Sequence, residues 1–290
     1  MFYSIKELVE QADLDFNGNV AELMIATEYE LTGRERDEVL RLMSRNLEVM
    51  KASVLLGLDE SKSRSGLTGG DAAKLHHYIQ SGKALSDYTV LTAAKNAIAV
   101  NEHNAKMGLV CATPTAGSAG CLPAVLTSAI EKLDLTEEQQ LEFLLAAGAF
   151  GLVIANNASI SGAEGGCQAE VGSASAMSAA ALVLAAGGSA FQASQAICFV
   201  IKNMLGLICD PVAGLVEVPC VKRNAMGASY AFIAADMALA GIESKIPVDE
   251  VIDAMYQVGS SLPTAFRETA EGGLATTPTG RRLSKEIFGE

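Results

Sequence analysis

The sequence predicts an all-α protein, a single helical domain whose functional residues sit in Gly-, Ser- and Thr-rich loops. Three observations predict it. Apolar residues recur at steps of three and four, hydroxyl-bearing caps open several of those runs, and stretches that alternate apolar and polar residues with β-branched enrichment are scarce.

The elements follow in order. Ser4-x-x-Glu7 has the form of a capping box and opens the first helix. Thr32-x-x-Glu35 has the same form and predicts a second start, after which Val39, Met43, Leu47, Met50 and Val54 mark one helix face, packed in the core and stopped at Gly57. His76 and His77 fall on a helix that follows the loop ending at Asp71. Thr89 to Ala105 is the next run, ended near Gly108. Thr136-x-x-Gln139 opens Gln139 to Ala155, and Ala174 to Ala186, Phe191 to Leu205, Ala225 to Ala240 and Val248 to Val258 complete the set. Gly214 to Pro219 reads as briefly extended. No Pro-rich or low-complexity linker interrupts the chain and no repeat has a fixed period, so residues 1–290 read as one domain.

Composition narrows the function. The chain has 290 residues, 50% of them hydrophobic and 19% charged. These values exclude disordered, collagen-like and disulfide-miniprotein classes. The charged share is below the usual ~25%, so an unusual amount of surface is buried, within the fold or against another subunit. A net charge of −13 with no basic stripe argues against nucleic acid; Arg34-Glu35-Arg36 and Gly280-Arg281-Arg282 read as solvated helix ends. The start Met1-Phe2-Tyr3-Ser4-Ile5-Lys6-Glu7 has no secretory pattern, which predicts a cytoplasmic protein and reduced thiols at Cys111, Cys121, Cys167, Cys198, Cys209 and Cys220. The strongly apolar part of Phe143 to Ala163 is about 13 residues against the ~20 of a membrane span. Val171 to Ile201 is uncharged but built from Ala, Ser and Gly, so no membrane insertion is expected.

The loops carry more chemical information. Ser63 to Asp71, Thr113 to Gly120 and Asn156 to Cys167 each combine small hydroxyls with glycines. Such loops expose backbone N–H groups, and where they lead into a helix the dipole favours a carboxylate or phosphate. Together they point to a small anionic ligand. Nucleotide signatures are missing, since the chain has neither G-x-x-x-x-G-K-[ST] nor G-x-G-x-x-G between strand and helix, and it has no G-x-S-x-G elbow. Cys209 to Cys220 brackets a Pro- and Gly-containing loop, and Cys167 closes the third loop. By spacing alone these are either buried free thiols or a three-thiolate site. A cluster held by three thiolates would leave one iron open as a Lewis acid.

Thr68-Gly69-Gly70-Asp71, Thr113 to Gly120, Asn157 to Gln168, Cys209 to Gly214 and Val218 to Asn224 resemble, in order, the motifs of the iron–sulfur-dependent bacterial L-serine dehydratases. The resemblance runs from about residue 4 to about residue 287 and looks like the separate alpha chain of the two-subunit type. It implies an all-helical catalytic domain around a 4Fe-4S cluster, no pyridoxal phosphate, and conversion of L-serine to pyruvate and ammonia. Carried over by motif, Cys167, Cys209 and Cys220 are the cluster ligands, while Cys111, Cys121 and Cys198 are packing residues, with Cys121 close to the site. Some single-chain members close the fourth iron with a C-terminal cysteine; this chain ends Lys285-Glu286-Ile287-Phe288-Gly289-Glu290, so that lock is not expected.

The implied reaction needs a carboxylate site, an ammonium site and a base. Ser63, Ser65, Thr68, Ser118 and Ser161, with the backbone of Gly69 and Gly70, are candidates for the carboxylate; Asp71 or Glu164 for the ammonium. The base is unassigned: His76, His77, Lys74 and Lys222 are candidates, the lysines if desolvation lowers their pKa, and a beta chain could supply it instead. His103 reads as structural. Two other readings stay open, a cluster-dependent lyase acting on L-cysteine or L-threonine and a non-catalytic helical subunit with structural thiols.

Overall fold

The computed structural model describes residues 2–289; Met1 and Glu290, the outermost residues of the two termini read above, lie outside the described residues. The α-helices are α1 (Ile5–Asp15), α2 (Val20–Thr32), α3 (Arg36–Leu56), α4 (Asp71–Gln80), α5 (Tyr88–Ala105), α6 (Cys121–Leu133), α7 (Glu137–Asn157), the short α8 (Gly162–Gly165), α9 (Ser173–Ala185), α10 (Ala190–Met204), α11 (Cys220–Leu239), α12 (Val248–Ser261) and α13 (Pro278–Phe288). Among the described residues the β structure is one isolated bridge, Cys209 to Arg267. The all-α expectation holds.

Helix α9 is the axis of the molecule. It packs against α6, α7, α10 and α11, and every residue from Ser173 to Val183 is buried. That environment accounts for its Ala- and Ser-rich sequence. Small side chains let surrounding helices approach, and two of the buried hydroxyls find internal partners: Ser178 Oγ donates to Ala174 O at 2.6 Å and Ser175 Oγ to Gly227 O at 2.6 Å, the latter tying α9 to α11. A second hub is α5, which contacts α3, α4, α6 and α11. Where α3 ends, a Cβ on Gly57 would lie 1.9 Å from the Ala99 carbonyl oxygen, so backbone meets backbone at that crossing.

Several local readings need correction. Thr32 is the last residue of α2; its hydroxyl donates to Glu28 O, Gly33 turns left-handed behind it at φ 73°, and α3 starts from Glu35 with no side-chain cap. Ser4 does cap α1, but Glu7 reaches back to Tyr3 N rather than to Ser4 N. The Thr136–Gln139 box is present in both directions, as is an unpredicted one, Ser189–Gln192, on α10. Gly214 to Pro219 is a sequence of turns following a 3₁₀ segment at Val212–Gly214, not an extended stretch. Helix α7 runs to 21 residues, longer than Gln139 to Ala155, and so is long and apolar enough to cross a membrane; most of it is buried inside the fold, against α2 and α9.

Between α8 and α9 the chain makes a π-helical turn, Gln168–Gly172, all of it buried. A wider turn of this kind inserts one extra residue and re-aims the side chains it carries. Gln168 anchors it: Nε2 donates to Met255 O of α12 at 2.8 Å, and Oε1 accepts from Gly206 N at 2.9 Å. This turn and the start of α11 are the elements that position the site.

Candidate metal centre

Cys167 directly precedes the π-turn, Cys209 sits in the loop after α10, and Cys220 is the first residue of α11. All three are buried. Ligand atoms of Cys167, Glu170 and Cys209 all lie within 4.8 Å of one another. Cys220 stands outside that trio yet close enough for the charges of Cys167 and Glu170 to act on its thiol. The structure therefore brings Cys167 and Cys209 together, with Cys220 outside that group but within reach of the Cys167 charge.

The sulfurs differ in electrostatics. The hydrogen bond from Cys209 holds Cys167 below the ordinary thiol pKa against the opposing effect of burial, and Arg223 reinforces it, its NH1 being 3.4 Å from the sulfur. Cys209, as the donor of that bond, and Cys220, through burial, are both pushed up. Arg223 is itself fixed by Ile208 O at 2.8 Å and by the buried Asp210 at 2.9 Å. Asp210 in turn accepts from Leu274 N at 2.7 Å, which ties the 273–276 segment to the site. The result is one anchored cation beside one thiolate-prone sulfur.

Glu170 was not foreseen. The available signal was that Glu164 and Glu170 are the only charged residues between Glu142 and Lys202, and that Glu170 follows Cys167 by three positions. It is buried, accepts from Thr115 Oγ1 at 2.8 Å and from Gly162 N, and its carboxyl pKa is raised by burial. A Cβ on Gly117 would come within 3.1 Å of its carboxylate, and one on Gly162 within 2.7 Å, with Cys209 Sγ at 3.1 Å. The glycines of the second and third loops are thus placed to leave room for this carboxylate and this sulfur.

The remaining predicted residues are distributed as follows. Ser118 Oγ is buried within its own loop, between Thr113 O, Thr115 O and Thr115 Oγ1, and Asn224 of α11 fastens that loop by bonding Gly117 O and Gly120 N at 2.8 and 3.1 Å. Ser161, half-buried, precedes Gly162 and makes no capping bond to its own helix. Glu164 points elsewhere: it accepts from Ser159 Oγ and lines a separate cleft with Met255, Tyr256 and Arg267.

The first loop is engaged by carboxylates of the protein itself. Ser63 and Ser65 donate to Glu217, in the loop between Cys209 and Cys220, at 2.6 and 2.8 Å. Glu102, fully buried on α5, accepts from Gly69 N and Asp71 N at 3.0 Å and from Thr68 Oγ1 at 3.3 Å. The anion-binding start of α4 is therefore filled from within. Asp71 pairs with Lys74 at 2.9 Å and with Lys222 at 2.5 Å, joining α4 to α11. Both lysines are exposed rather than desolvated, and the Lys74 pKa is raised by its bond to Asp71. His76 is half-buried and His77 exposed, with their rings 5.9 Å apart. His103 packs over Gly108, and burial lowers its pKa.

The other cysteines are in packing positions. Cys121 is wholly buried between α6 and α11 against Asn224, Cys198 faces Ile246 O at 3.9 Å, and Cys111 faces Asn46. All six are free thiols.

The profile of the family described as serine dehydratase alpha chain matches residues 15–275. A probable L-serine dehydratase alpha chain of Bacillus subtilis is 60% identical over 289 residues, spanning 100% of this chain and 96% of the relative. An L-serine dehydratase alpha chain of Peptoniphilus asaccharolyticus is 42% identical, spanning 93% of each. An L-serine dehydratase of Escherichia coli is 36% identical over 94% of this chain, which covers 61% of that longer protein.

Proposed function

The chain belongs to the serine dehydratase alpha chain family, and from that premise we propose that it deaminates L-serine to pyruvate and ammonia with a 4Fe-4S cluster held by Cys167, Cys209 and Cys220. The observation that carries this reading is the meeting of the buried Cys167 and Cys209 beside Arg223, with the buried Cys220 within reach of the Cys167 charge. The donor set fits such a group. Iron–sulfur clusters take thiolates, the guanidinium offsets part of their negative charge, and Gly162 leaves free the space that a Cβ would take from Cys209 Sγ. When bound, the cluster supplies Lewis acidity at an iron that no cysteine holds.

The protein's own residues then bind and orient the substrate. Ser161 and the backbone around Gly117 and Gly162 border the donor set, and they are the groups we assign to the substrate carboxylate, with Ser118 shaping the loop from inside. Ser63, Ser65, Thr68, Gly69 and Gly70 hold the neighbouring wall through Glu217 and Glu102. Asp71, on the same wall, is the carboxylate we assign to the ammonium group, in exchange for Lys74 or Lys222. Loss of the Cα proton and of the β-hydroxyl leaves aminoacrylate, which tautomerises to the imine and hydrolyses in water to pyruvate and ammonia. Proton removal is assigned to a base outside the cysteine trio, His76 or His77 of α4 or a group from a beta chain, since the exposed, Asp71-paired Lys74 and Lys222 lack the desolvation a lysine base needs.

That beta chain is part of the proposal. The Bacillus subtilis and Peptoniphilus asaccharolyticus relatives are named alpha chains, and this chain covers only part of the longer Escherichia coli enzyme. Anaerobic reconstitution with iron and sulfide tests the cluster. Wild type is expected to bind both and to absorb in the visible, and Cys209→Ser to lose most of that absorbance. A colourless, iron-free wild type would overturn the reading.

A further inference from the structure

The spacing Cys167-x-x-Glu170 places two donors three residues apart on one helical turn. Ferredoxin-type runs use the same separation to let neighbouring residues hold different irons of one cluster. Here the second position is a carboxylate. Its oxygen lies within 4.8 Å of the sulfurs of Cys167 and Cys209.

The surroundings suit a carboxylate that faces a metal. Glu170 is only 8% exposed, yet among the described residues no cationic side chain pairs with it; Arg223 is taken up by Cys167, Ile208 O and Asp210. Its contacts are one hydroxyl, Thr115 Oγ1, and one backbone amide, Gly162 N. A buried carboxylate with so little compensation is costly unless a cation completes its shell. A Cβ on Gly162 would collide with it at 2.7 Å, and one on Gly117 would crowd it at 3.1 Å. The π-turn then aims it at the sulfurs instead of along the α9 surface.

We infer that Glu170 is a fourth protein donor to the cluster, completing with Cys167, Cys209 and Cys220 a site of three thiolates and one carboxylate. The inference rests on the cluster reading above. It gives the carboxylate a chemical reason to be there: oxygen is a harder donor than thiolate sulfur and binds a thiolate-preferring iron site less firmly. Such a donor shields the fourth position while leaving it exchangeable. A fourth cysteine would hold it more tightly.

The test compares wild type, Glu170→Gln, Glu170→Asp and the control Glu164→Gln, each reconstituted anaerobically as the full chain. Iron and acid-labile sulfide are counted, and conversion to the three-iron form during limited exposure to oxidant is followed by electron paramagnetic resonance. All four proteins are expected to take up iron and sulfide. Glu170→Gln should lose its fourth iron about 10-fold faster than wild type and the control, the scale on which removing a group around a metal site weakens it, with Glu170→Asp between. Equal rates in wild type and a folded Glu170→Gln would overturn the inference and leave the cluster reading intact. Failure of wild type to bind iron and sulfide would overturn the cluster reading itself. Should Glu170→Gln not fold, Glu170→Asp and Thr115→Val decide in its place, since both move the carboxylate; rates equal to wild type in these two would equally overturn it.

Discussion

At the scale of single residues, the molecule answers its own anion sites before a ligand arrives. Glu102 accepts from the amides that open α4, and replacing it with Gln removes charge from several hydrogen bonds at once. Charge-assisted bonds are worth about 1.5–3 kcal/mol each, shared here over one carboxylate. Glu102→Gln is therefore expected to destabilise the fold by about 2 kcal/mol, read as a lower urea midpoint at unchanged slope. Asp71 gives a pH signature. Burial raises its carboxyl pKa, but the bonds from Lys222 and Lys74 more than offset this and hold it at about 2. A depressed folded-state pKa contributes stability above the unfolded value of ~3.9 and loses it as pH falls toward 2. The group is partly solvated, so Asp71→Asn is expected to cost only about 1 kcal/mol at neutral pH. That difference should shrink below about pH 4; a difference independent of pH in denaturant titrations would show that the two lysines do not act through charge.

Glu170 shows what a residue-level sequence reading misses. The cysteines were legible because thiols in this order match a known set of motifs. A carboxylate inside a π-turn carries no periodic signal, because the extra residue of that turn breaks the helical spacing on which pattern reading depends. The loop serines were legible as polar groups near the site, but not that Ser63 and Ser65 would turn to Glu217, a contact between residues remote in sequence.

At the scale of elements, a buried face was not enough for recognition: α2 and α6 both bury several residues, yet neither was among the runs read from the sequence. Helix α13 was read only as a solvated helix end at Gly280-Arg281-Arg282 because it buries only Gly280 and so leaves no core stripe, although Thr277 and Pro278 mark its start. Thr32 was misread because a hydroxyl three residues before a Glu also occurs where a helix ends; the left-handed Gly33 decides the matter. Two predictions belong here. Gly57 has φ −75°, open to alanine, so Gly57→Ala acts by collision alone, its Cβ 1.9 Å from Ala99 O. Forcing α3 from α5 is expected to cost about 3 kcal/mol, at the upper end of overpacking effects, and a thermal midpoint unchanged from wild type would refute that crossing. Ser189→Ala removes one arm of the α10 capping box and should cost about 1 kcal/mol in a denaturant titration.

At the scale of the whole molecule, the low charge and high apolar content now have a structural destination. The Ala- and Ser-rich α9, sheathed by α6, α7, α10 and α11, takes up much of it. The all-α class was legible because helical spacing dominates the chain. That Cys167 and Cys209 come together was legible only through the resemblance of the motifs, because it depends on how the helices pack rather than on any local pattern. Helices α9 and α11, tied by Ser175 to Gly227, bring Cys167 and Cys220 to one end of the bundle, and the loop after α10 adds Cys209. The site is a product of helix packing, so its integrity and that of the core are linked.

The most direct measurement is pyruvate formation from L-serine by the anaerobically reconstituted chain together with the proposed beta chain. The account predicts turnover that requires iron and sulfide, disappears in Cys167→Ser, Cys209→Ser and Cys220→Ser, and is lost on exposure to air. Turnover that persists without iron, or in all three cysteine variants, would contradict it.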